Sequence, residues 1–240
     1  MNYLKPIGLN STIILTLLGL FTSSAQAENI IYNPLTRTEI DIRRVPEDAR
    51  GPCDRVAVVT NDDFVLRVLV PEHTGLTTQP QPILYWYVSE PVSAQFVFQL
   101  EQKAKVNSFD YFEPLIKTTF DLSVETGIHS LSLAKYDNVK LEKDIQYIWS
   151  LSLVCDPYNP SVNRLAVGTI MHVEPSPELT ETFKQTPATD LPYLYAKEGF
   201  WYDALHSLSE LIKKTPNFRK IRAELLQQVG LHKVATFDLE

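Results

Sequence analysis

Apolar and polar residues alternate with a period of two through the middle of the chain, and this period predicts β-strands. In "ILYWYV", Leu84, Trp86 and Val88 fall on one face and Tyr85 and Tyr87 on the other. Seven stretches of this kind follow one another: FVLRVLVP (64–71), ILYWYV (83–88), AQFVFQLE (94–101), LIKTTF (115–120), IHSLSLA (128–134), IQYIWSLSLVC (145–155) and LAVGTIMHVE (165–174).

The seven strands follow one another at short spacing, and no helical pattern separates them. This arrangement predicts an antiparallel β-sandwich of immunoglobulin-like type over residues 53–176. The spacing of Leu141 and Tyr147 in "LEKDIQYIW" is similar to the tyrosine corner of such sandwiches, in which the tyrosine hydroxyl bonds to the backbone upstream.

After Pro177 the apolar residues recur at helical spacing, so residues 177–240 are predicted to be a helical tail. Thr189 or Asp190 caps a first helix, and Gly199 ends it. The apolar stripe of the second helix is Trp201, Ala204, Leu205, Leu208, Leu211 and Ile212, and that of the third is Phe218, Ile221, Leu225 and Val229. The predicted fold class is therefore α+β, with a sandwich followed by a hairpin of about three short helices.

The N-terminal 27 residues have the pattern of a signal peptide. Lys5 is their only charge, the apolar run of residues 13–21 is too short to span a bilayer, and Ala25-Gln26-Ala27 is a small-x-small cleavage site. The alternative is an uncleaved membrane anchor. We expect export to the periplasm or the cell exterior, followed by a polar lead-in over residues 28–52.

The charge balance narrows the classes of partner. Cleavage after Ala27 would remove Lys5 and no acidic residue, so the formal net charge of −7 would become −8. An acidic chain is poorly suited to nucleic acid or anionic lipid surfaces, and we expect neither as a partner. No segment after residue 27 approaches the length of a transmembrane helix, so we expect no integral membrane segment after cleavage.

The chain has two cysteines, Cys53 and Cys155, 102 positions apart. In an oxidising compartment we expect them to form a disulfide that ties the lead-in to the sheet. The alternative is two separate buried thiols.

The first two predicted helices resemble a single tetratricopeptide repeat. The residues at that spacing are Tyr195, Gly199, Trp201, Ala204, Leu208, Leu211, Ile212 and Pro216. A single repeat cannot bury its own apolar face, so it must pack on its own domain or on another protein. We favour docking on its own domain and keep a partner surface as the alternative.

Several stretches are similar to a cyanobacterial family of exported proteins, domain-of-unknown-function family 928. They are Leu76-Thr77-Thr78, Pro82 before "LYWYV", "FVFQLE", "YIWSLSLVCDP", Gly168, and the tail "YAKEGFWYDALHSLSELIKKTP" with "ELLQQVGL". The resemblance covers roughly residues 50–231 and implies export and the order of strands before helices. It implies no activity.

The sequence contains no recognisable catalytic, metal-binding or cofactor-binding motif. The five histidines do not occur at metal-ligand spacing, and neither a G-x-S-x-G elbow nor a glycine-rich phosphate loop is present. The carboxylate pairs Asp62-Asp63 and Glu178/Glu181 fit a loop or a helix surface. "NDD" at 61–63 lacks the alternating oxygens of a calcium loop. We therefore expect a non-enzyme without cofactors or catalytic residues.

Four aromatic residues form the candidate interaction surface: Tyr85, Tyr87, Trp201 and Tyr202. Tyr85 and Tyr87 either stack on sugars or lie beneath the C-terminal helices, and we favour the second because the exposed patch would otherwise be large. The sequence predicts an interaction or scaffolding protein that binds an envelope protein. The alternatives are a glycan-binding sandwich using Tyr85, Tyr87 or Trp201, and a hydrolase built from scattered carboxylates.

Overall fold

The computed structural model describes residues 29–35, 53, 64–106, 109–136 and 138–240, and within them strands precede helices. The signal peptide predicted at 1–27, Asp62-Asp63 and most of the lead-in at 28–52 lie outside the described residues. The strands are β1 (Leu66–Val68), β2 (Gly75–Thr77), β3 (Ile83–Val88), β4 (Val92–Val106), β5 (Phe109–Val124), β6 (Gly127–Ser132), β7 (Gln146–Leu153) and β8 (Arg164–His172).

The strands form two sheets, one with the order β1-β3-β6 and one with the order β2-β8-β7-β4-β5. The seven predicted strands correspond to β1 and to β3 through β8. Each sheet contributes aromatic residues to the space between them, where Trp86 of β3 lies 5.4 Å from Phe96 of β4. Both rings are buried, so this layer is the centre of the core.

The prediction of a wholly antiparallel sandwich was wrong at one edge. The short strand β2 runs parallel to β8, with Leu76 opposite Met171, so the five-stranded sheet is mixed. Its three residues are too few to show an alternating pattern, and contacts with the helices hold them in place. An added Cβ on Gly75 would lie 2.7 Å from the Tyr202 ring, so β2 packs directly beneath the helical layer.

β4 and β5 form a hairpin that is longer than the rest of the sheet. Their register runs from Val92↔Val124 to Val106↔Phe109, with one irregularity between Leu100 and Glu101. β7 pairs with β4 only over residues 96–102 of that strand. The tip of the hairpin, beyond Gln102 of β4, therefore continues as a two-stranded ribbon past the sheet.

The helices are α1 (Pro177–Gln185), α2 (Leu191–Lys197), α3 (Trp201–Ile212), α4 (Phe218–Gln228) and α5 (His232–Leu239). The prediction of about three helices was too low, because it missed α1 and α5. Ser176 caps α1 by accepting from the Leu179 N–H, and the buried Phe183 fixes α1 on Tyr195 with ring centroids 4.5 Å apart. No helix among the described residues is long and apolar enough to cross a membrane.

The helices cover the outer face of the three-stranded sheet. Tyr85 shares a hydrogen bond with His206 of α3, and the Tyr87 ring lies 5.5 Å from Phe237 of α5. The two tyrosines thus lie beneath the helices. A single hydrophobic cluster contains side chains from both sheets and from α2 to α5, so the helical tail belongs to the same core as the sheets.

A connection resembling the predicted tyrosine corner is present before β7. The Glu142 N–H donates to the hydroxyl of Tyr147 over 2.8 Å, and Tyr147 is fully buried. Burial raises the pKa of this hydroxyl. Since the tyrosine satisfies a backbone donor across the turn, it fixes the entry of the chain into the central strand β7.

Candidate functional site

The four residues predicted as an interaction surface are all buried. Tyr85 and Tyr87 are 5% and 6% exposed, Trp201 is 0% exposed and Tyr202 is 1% exposed. The sheet and the helices of this chain cover nearly all of these four side chains, and the small exposed part of Tyr85 borders a cleft.

The polar atoms of Trp201 and Tyr202 bond to the β-sheets. The Trp201 Nε1–H donates to the Leu69 carbonyl over 2.9 Å. The Trp149 Nε1–H donates to the Tyr202 hydroxyl, which in turn donates to the carbonyl of Thr169 over 3.0 Å. Burial raises the pKa of Tyr202. These two side chains anchor α3.

The two cysteines form a disulfide. Cys53 and Cys155 are bonded, their Cα atoms are 4.9 Å apart, and both are buried. Cys155 follows β7, and its N–H donates to the Asn163 side chain over 3.0 Å. The disulfide therefore attaches the chain before β1 to the end of the central strand, as the sequence predicted.

A cleft of about 470 Å³ opens beside the three-stranded sheet, between the strands β5 and β6 and the helices α3 and α4. We call it the lateral cleft. Its lining residues are Tyr85, Trp86, Leu122, Val124, Ile128, His129, Ser130, Ser209, Lys213 and Arg222. Two other clefts, of about 520 and 390 Å³, are bordered by residues 29–35. The lateral cleft is the best candidate because nearly all its residues lie in regular elements.

The strand side of the lateral cleft is largely apolar. Leu122 and Val124 of β5 and Ile128 of β6 are half-buried, so part of each side chain faces the cleft. At the floor, the His129 ring lies 4.8 Å from the Trp86 ring, and His129 Nε2 bonds to the Glu125 carbonyl over 2.8 Å. This side offers an apolar surface beside the exposed edge residue Ser130.

The helix side of the lateral cleft is polar. The Arg222 guanidinium donates two hydrogen bonds of 2.6 Å to the Asp238 carboxylate and one of 3.0 Å to the Ser209 hydroxyl. The Asp238 side chain is 0% exposed and that of Arg222 is 10% exposed. Because Asp238 neutralises the guanidinium, Arg222 brings little net charge to the cleft. What it provides is a polar group held in a fixed position by its hydrogen bonds.

Tyr85 and His206 continue the polar network of Arg222 towards solvent. The Tyr85 hydroxyl and His206 Nδ1 are 2.9 Å apart, and burial raises the pKa of Tyr85 to about 12. Burial also lowers the pKa of His206, so its ring is neutral at pH 7. At the rim, Lys213 pairs with Glu210 over 2.6 Å. With both cations paired, the cleft favours a neutral ligand that has an apolar side and hydrogen-bonding groups.

The polar network was not predicted from the sequence, although a signal was present. Arg222 lies four residues after Phe218 and three before Leu225, so it occupies the apolar stripe of α4. A charged residue on such a stripe indicates a buried partner. Which partner it has depends on how α5 folds back, and this could not be derived from spacing.

The carboxylate with the clearest structural role is Asp203 in the first turn of α3. Its oxygens accept from the N–H and the hydroxyl of Thr78, over 2.9 and 2.5 Å. Burial raises the pKa of Asp203, and the Thr78 hydrogen bonds oppose the change. Asp203 thus clamps the end of β2 to α3. In the described part of the chain, no three His, Cys, Asp or Glu side chains form a group that could hold a metal ion.

Comparison with known proteins gives a family and no curated relative. A family model described as Domain of Unknown Function (DUF928) matches residues 48–239, which include every element of both sheets and all five helices. No curated protein matches the chain.

Proposed function

The chain belongs to the DUF928 family, and from this premise we propose a non-catalytic interaction or scaffolding protein of the periplasm or cell envelope. Its partner is an envelope protein that inserts an extended, apolar segment into the lateral cleft. The observation that carries the proposal is the position of β6, which is the last strand of its sheet and forms one rim of the cleft.

An extended segment fits the rim of the lateral cleft. A strand at the edge of a sheet offers backbone donors and acceptors to a chain that runs beside it. Next to β6, the half-buried side chains of Leu122, Val124 and Ile128 provide an apolar surface for alternate side chains of that segment. The paired cations Lys213 and Arg222 argue for a segment without net charge.

Export belongs to this proposal and rests on two features. The first is the signal peptide predicted over residues 1–27. The second is the Cys53–Cys155 disulfide, since such bonds persist in oxidising compartments. A cyanobacterial source is part of the same proposal.

We also propose that the fold combines an immunoglobulin-like sandwich with one tetratricopeptide-like repeat. The hydrogen bond from the Glu142 N–H to Tyr147 supports the first assignment. For the second, Gly199 has φ +79° between α2 and α3, where the repeat pattern requires a glycine. In a solenoid, a neighbouring repeat covers the apolar face of each repeat. Here the three-stranded sheet would cover that face instead, which explains how a single repeat can be stable.

The alternatives would need residues other than those the sequence suggested. A glycan-binding site at Tyr85, Tyr87 or Trp201 would require rings that this chain covers. A hydrolase would require a carboxyl of raised pKa in a cleft, whereas Asp203 is 6% exposed and bonded to Thr78. No specific observation favours either alternative.

Site-specific photocrosslinking in the exporting cell tests the proposal. A photoreactive residue replaces Ser130 at the cleft rim in one variant and Tyr158, which is 90% exposed and outside the cleft, in the control. We expect a protein adduct at position 130 only, mapped to one extended segment of the partner, and lost when Val124→Glu is added. Equal adducts at both positions, or none at position 130, would overturn the proposal.

A further inference from the structure

Among the described residues, no strand pairs with the outer edge of β5. β5 is the last strand of the five-stranded sheet, and β4 pairs with it on one side only. Beyond the irregularity at Leu100/Glu101, the pairing is regular from Ile116 to Val124. Nine residues of uninterrupted strand therefore end the sheet.

The inner face of this edge is incompletely covered. In β4, Phe96, Phe98 and Leu100 are all at most 1% exposed. On β5, Phe120 and Leu122 stand opposite or next to these residues in the ladder but are only half-buried. A further strand beside β5 would extend the core layer over both side chains.

The outer face of the edge carries two opposite charges that stand opposite uncharged residues of β4. Lys117 and Asp121 are exposed, and they lie opposite Gln99 and Gln95 of β4. Their separation of four residues places both on the same face of the strand. Lys117 and Asp121 are therefore available to pair with charges on an added strand.

We propose that β5 pairs antiparallel with β5 of a second copy of this chain, about a two-fold axis at Thr119. In an antiparallel pair with this axis, Thr119 stands opposite itself, and Lys117 stands opposite Asp121 of the second copy. The symmetry repeats that ion pair on the other side of the axis. On the inner face, Ile116 lies opposite Leu122, which extends the apolar layer across the interface.

Other registers of the same kind lose this complementarity. An axis at Lys117 or at Asp121 would place like charges directly opposite each other, which is destabilising. An axis at Thr118 or at Phe120 would place Lys117 opposite Thr119 or Ser123, without an ion pair. Because successive side chains alternate between the two faces of a sheet, moving one strand along the other by a single residue would turn its apolar residues to the outer face. Pro114 has no N–H to donate to a strand ladder. The pairing about Thr119 therefore extends only over residues 115–123.

Charge exchange in the purified protein tests the interface. Sedimentation equilibrium at up to about 0.3 mM covers the weak affinities expected of an interface of this size. We expect the unchanged chain to form dimers. Lys117→Asp alone and Asp121→Lys alone should each weaken dimerisation roughly 10-fold or more, because each places like charges opposite one another.

Mixing the two single variants gives the decisive measurement. In a heterodimer each altered residue faces an opposite charge, so the mixture should dimerise more strongly than either variant alone. The double variant Lys117→Asp/Asp121→Lys should dimerise as the unchanged chain does. Lys140→Asp, the same charge change at an exposed position outside β5, should have no effect.

Either of two results overturns the proposal: a monomeric unchanged chain at the highest concentration, or a mixture of single variants that stays monomeric. Far-ultraviolet circular dichroism of each variant separates loss of pairing from loss of folding. A variant that is folded and dimerises as strongly as the unchanged chain would also contradict the assigned register. These measurements use the purified chain without a partner protein. Their outcome therefore does not depend on whether a partner binds in the lateral cleft.

Discussion

The indole Nε1–H of Trp149 in β7 donates a 2.9 Å hydrogen bond to the hydroxyl of Tyr202 in α3. Both side chains are buried, and the same hydroxyl donates to the carbonyl of Thr169 in β8. One side chain from the helical tail thus satisfies two polar groups of the five-stranded sheet. The consequence is that α3 is part of the sandwich core and cannot be released without leaving buried polar groups unpaired.

Replacing Tyr202 with phenylalanine tests this link. The ring remains, but the Trp149 N–H and the Thr169 carbonyl lose their partner, so we expect the free energy of unfolding to fall by about 1–3 kcal/mol. Urea denaturation followed by tryptophan fluorescence measures the change. Tyr158→Phe is the matched control, because Tyr158 is 90% exposed. Equal midpoints for the two variants would show that the hydroxyl carries no stability.

The Arg222–Asp238 ion pair should contribute differently from the Lys213–Glu210 pair. Asp238→Ala leaves a guanidinium buried without its counter-charge, and we expect a loss of about 3–5 kcal/mol. Glu210→Ala removes an exposed partner, and we expect a change of at most about 1 kcal/mol. Thermal and urea unfolding of both variants measure the difference. A result in which both losses are below about 1 kcal/mol would contradict the assigned burial of Arg222.

Period-two alternation located seven of the eight described strands but not the full length of the longest two: β4 (Val92–Val106) was predicted over residues 94–101 and β5 (Phe109–Val124) over residues 115–120. β3 was predicted with its full extent, Ile83–Val88, because its alternation runs through six residues. β2 was missed because Gly75–Thr77 is too short to show a period. Its position depends on Asp203, 125 residues later, and a contact so distant leaves no local pattern.

The candidate site was less predictable than the fold. The sequence offered Tyr85 and Trp201 as candidate interaction residues but favoured Tyr85 lying beneath the C-terminal helices, and both side chains are buried. Conversely, Ser209 and Arg222 line the lateral cleft although their neighbours in sequence are apolar. Which helix face meets which sheet depends on the turn at Gly230, where φ is +73°.

Removing the disulfide should lower stability without altering the sheets. With Cys53 and Cys155 both replaced by alanine, the unfolded chain loses a constraint that spans 102 residues, and we expect a loss of about 2–5 kcal/mol. Unfolding midpoints of the variant and of the unchanged protein, each with and without a reducing agent, measure this. The reducing agent should shift only the unchanged protein. An identical shift in both would mean that the effect does not come from this bond.

Stability should also depend on pH through His206. Its ring bonds to Tyr85, and burial lowers its pKa from the usual value of 6.5. The unfolded chain therefore binds a proton more readily than the folded chain as the pH falls. By linkage, stability is highest above about pH 6.5 and decreases as the pH falls through that value towards the folded pKa.

Urea midpoints between about pH 7.5 and 5.5 test this dependence on His206. The lysine-paired carboxyls Glu174 and Glu210 have pKa values lowered from 4.5, so their titration lies below this range. His206→Gln should remove most of the decrease in midpoint. His232→Gln, a change at an exposed histidine, is the control and should retain it. If the urea midpoint changes equally with pH in both variants, the burial of the His206 ring is not the cause of the dependence of stability on pH.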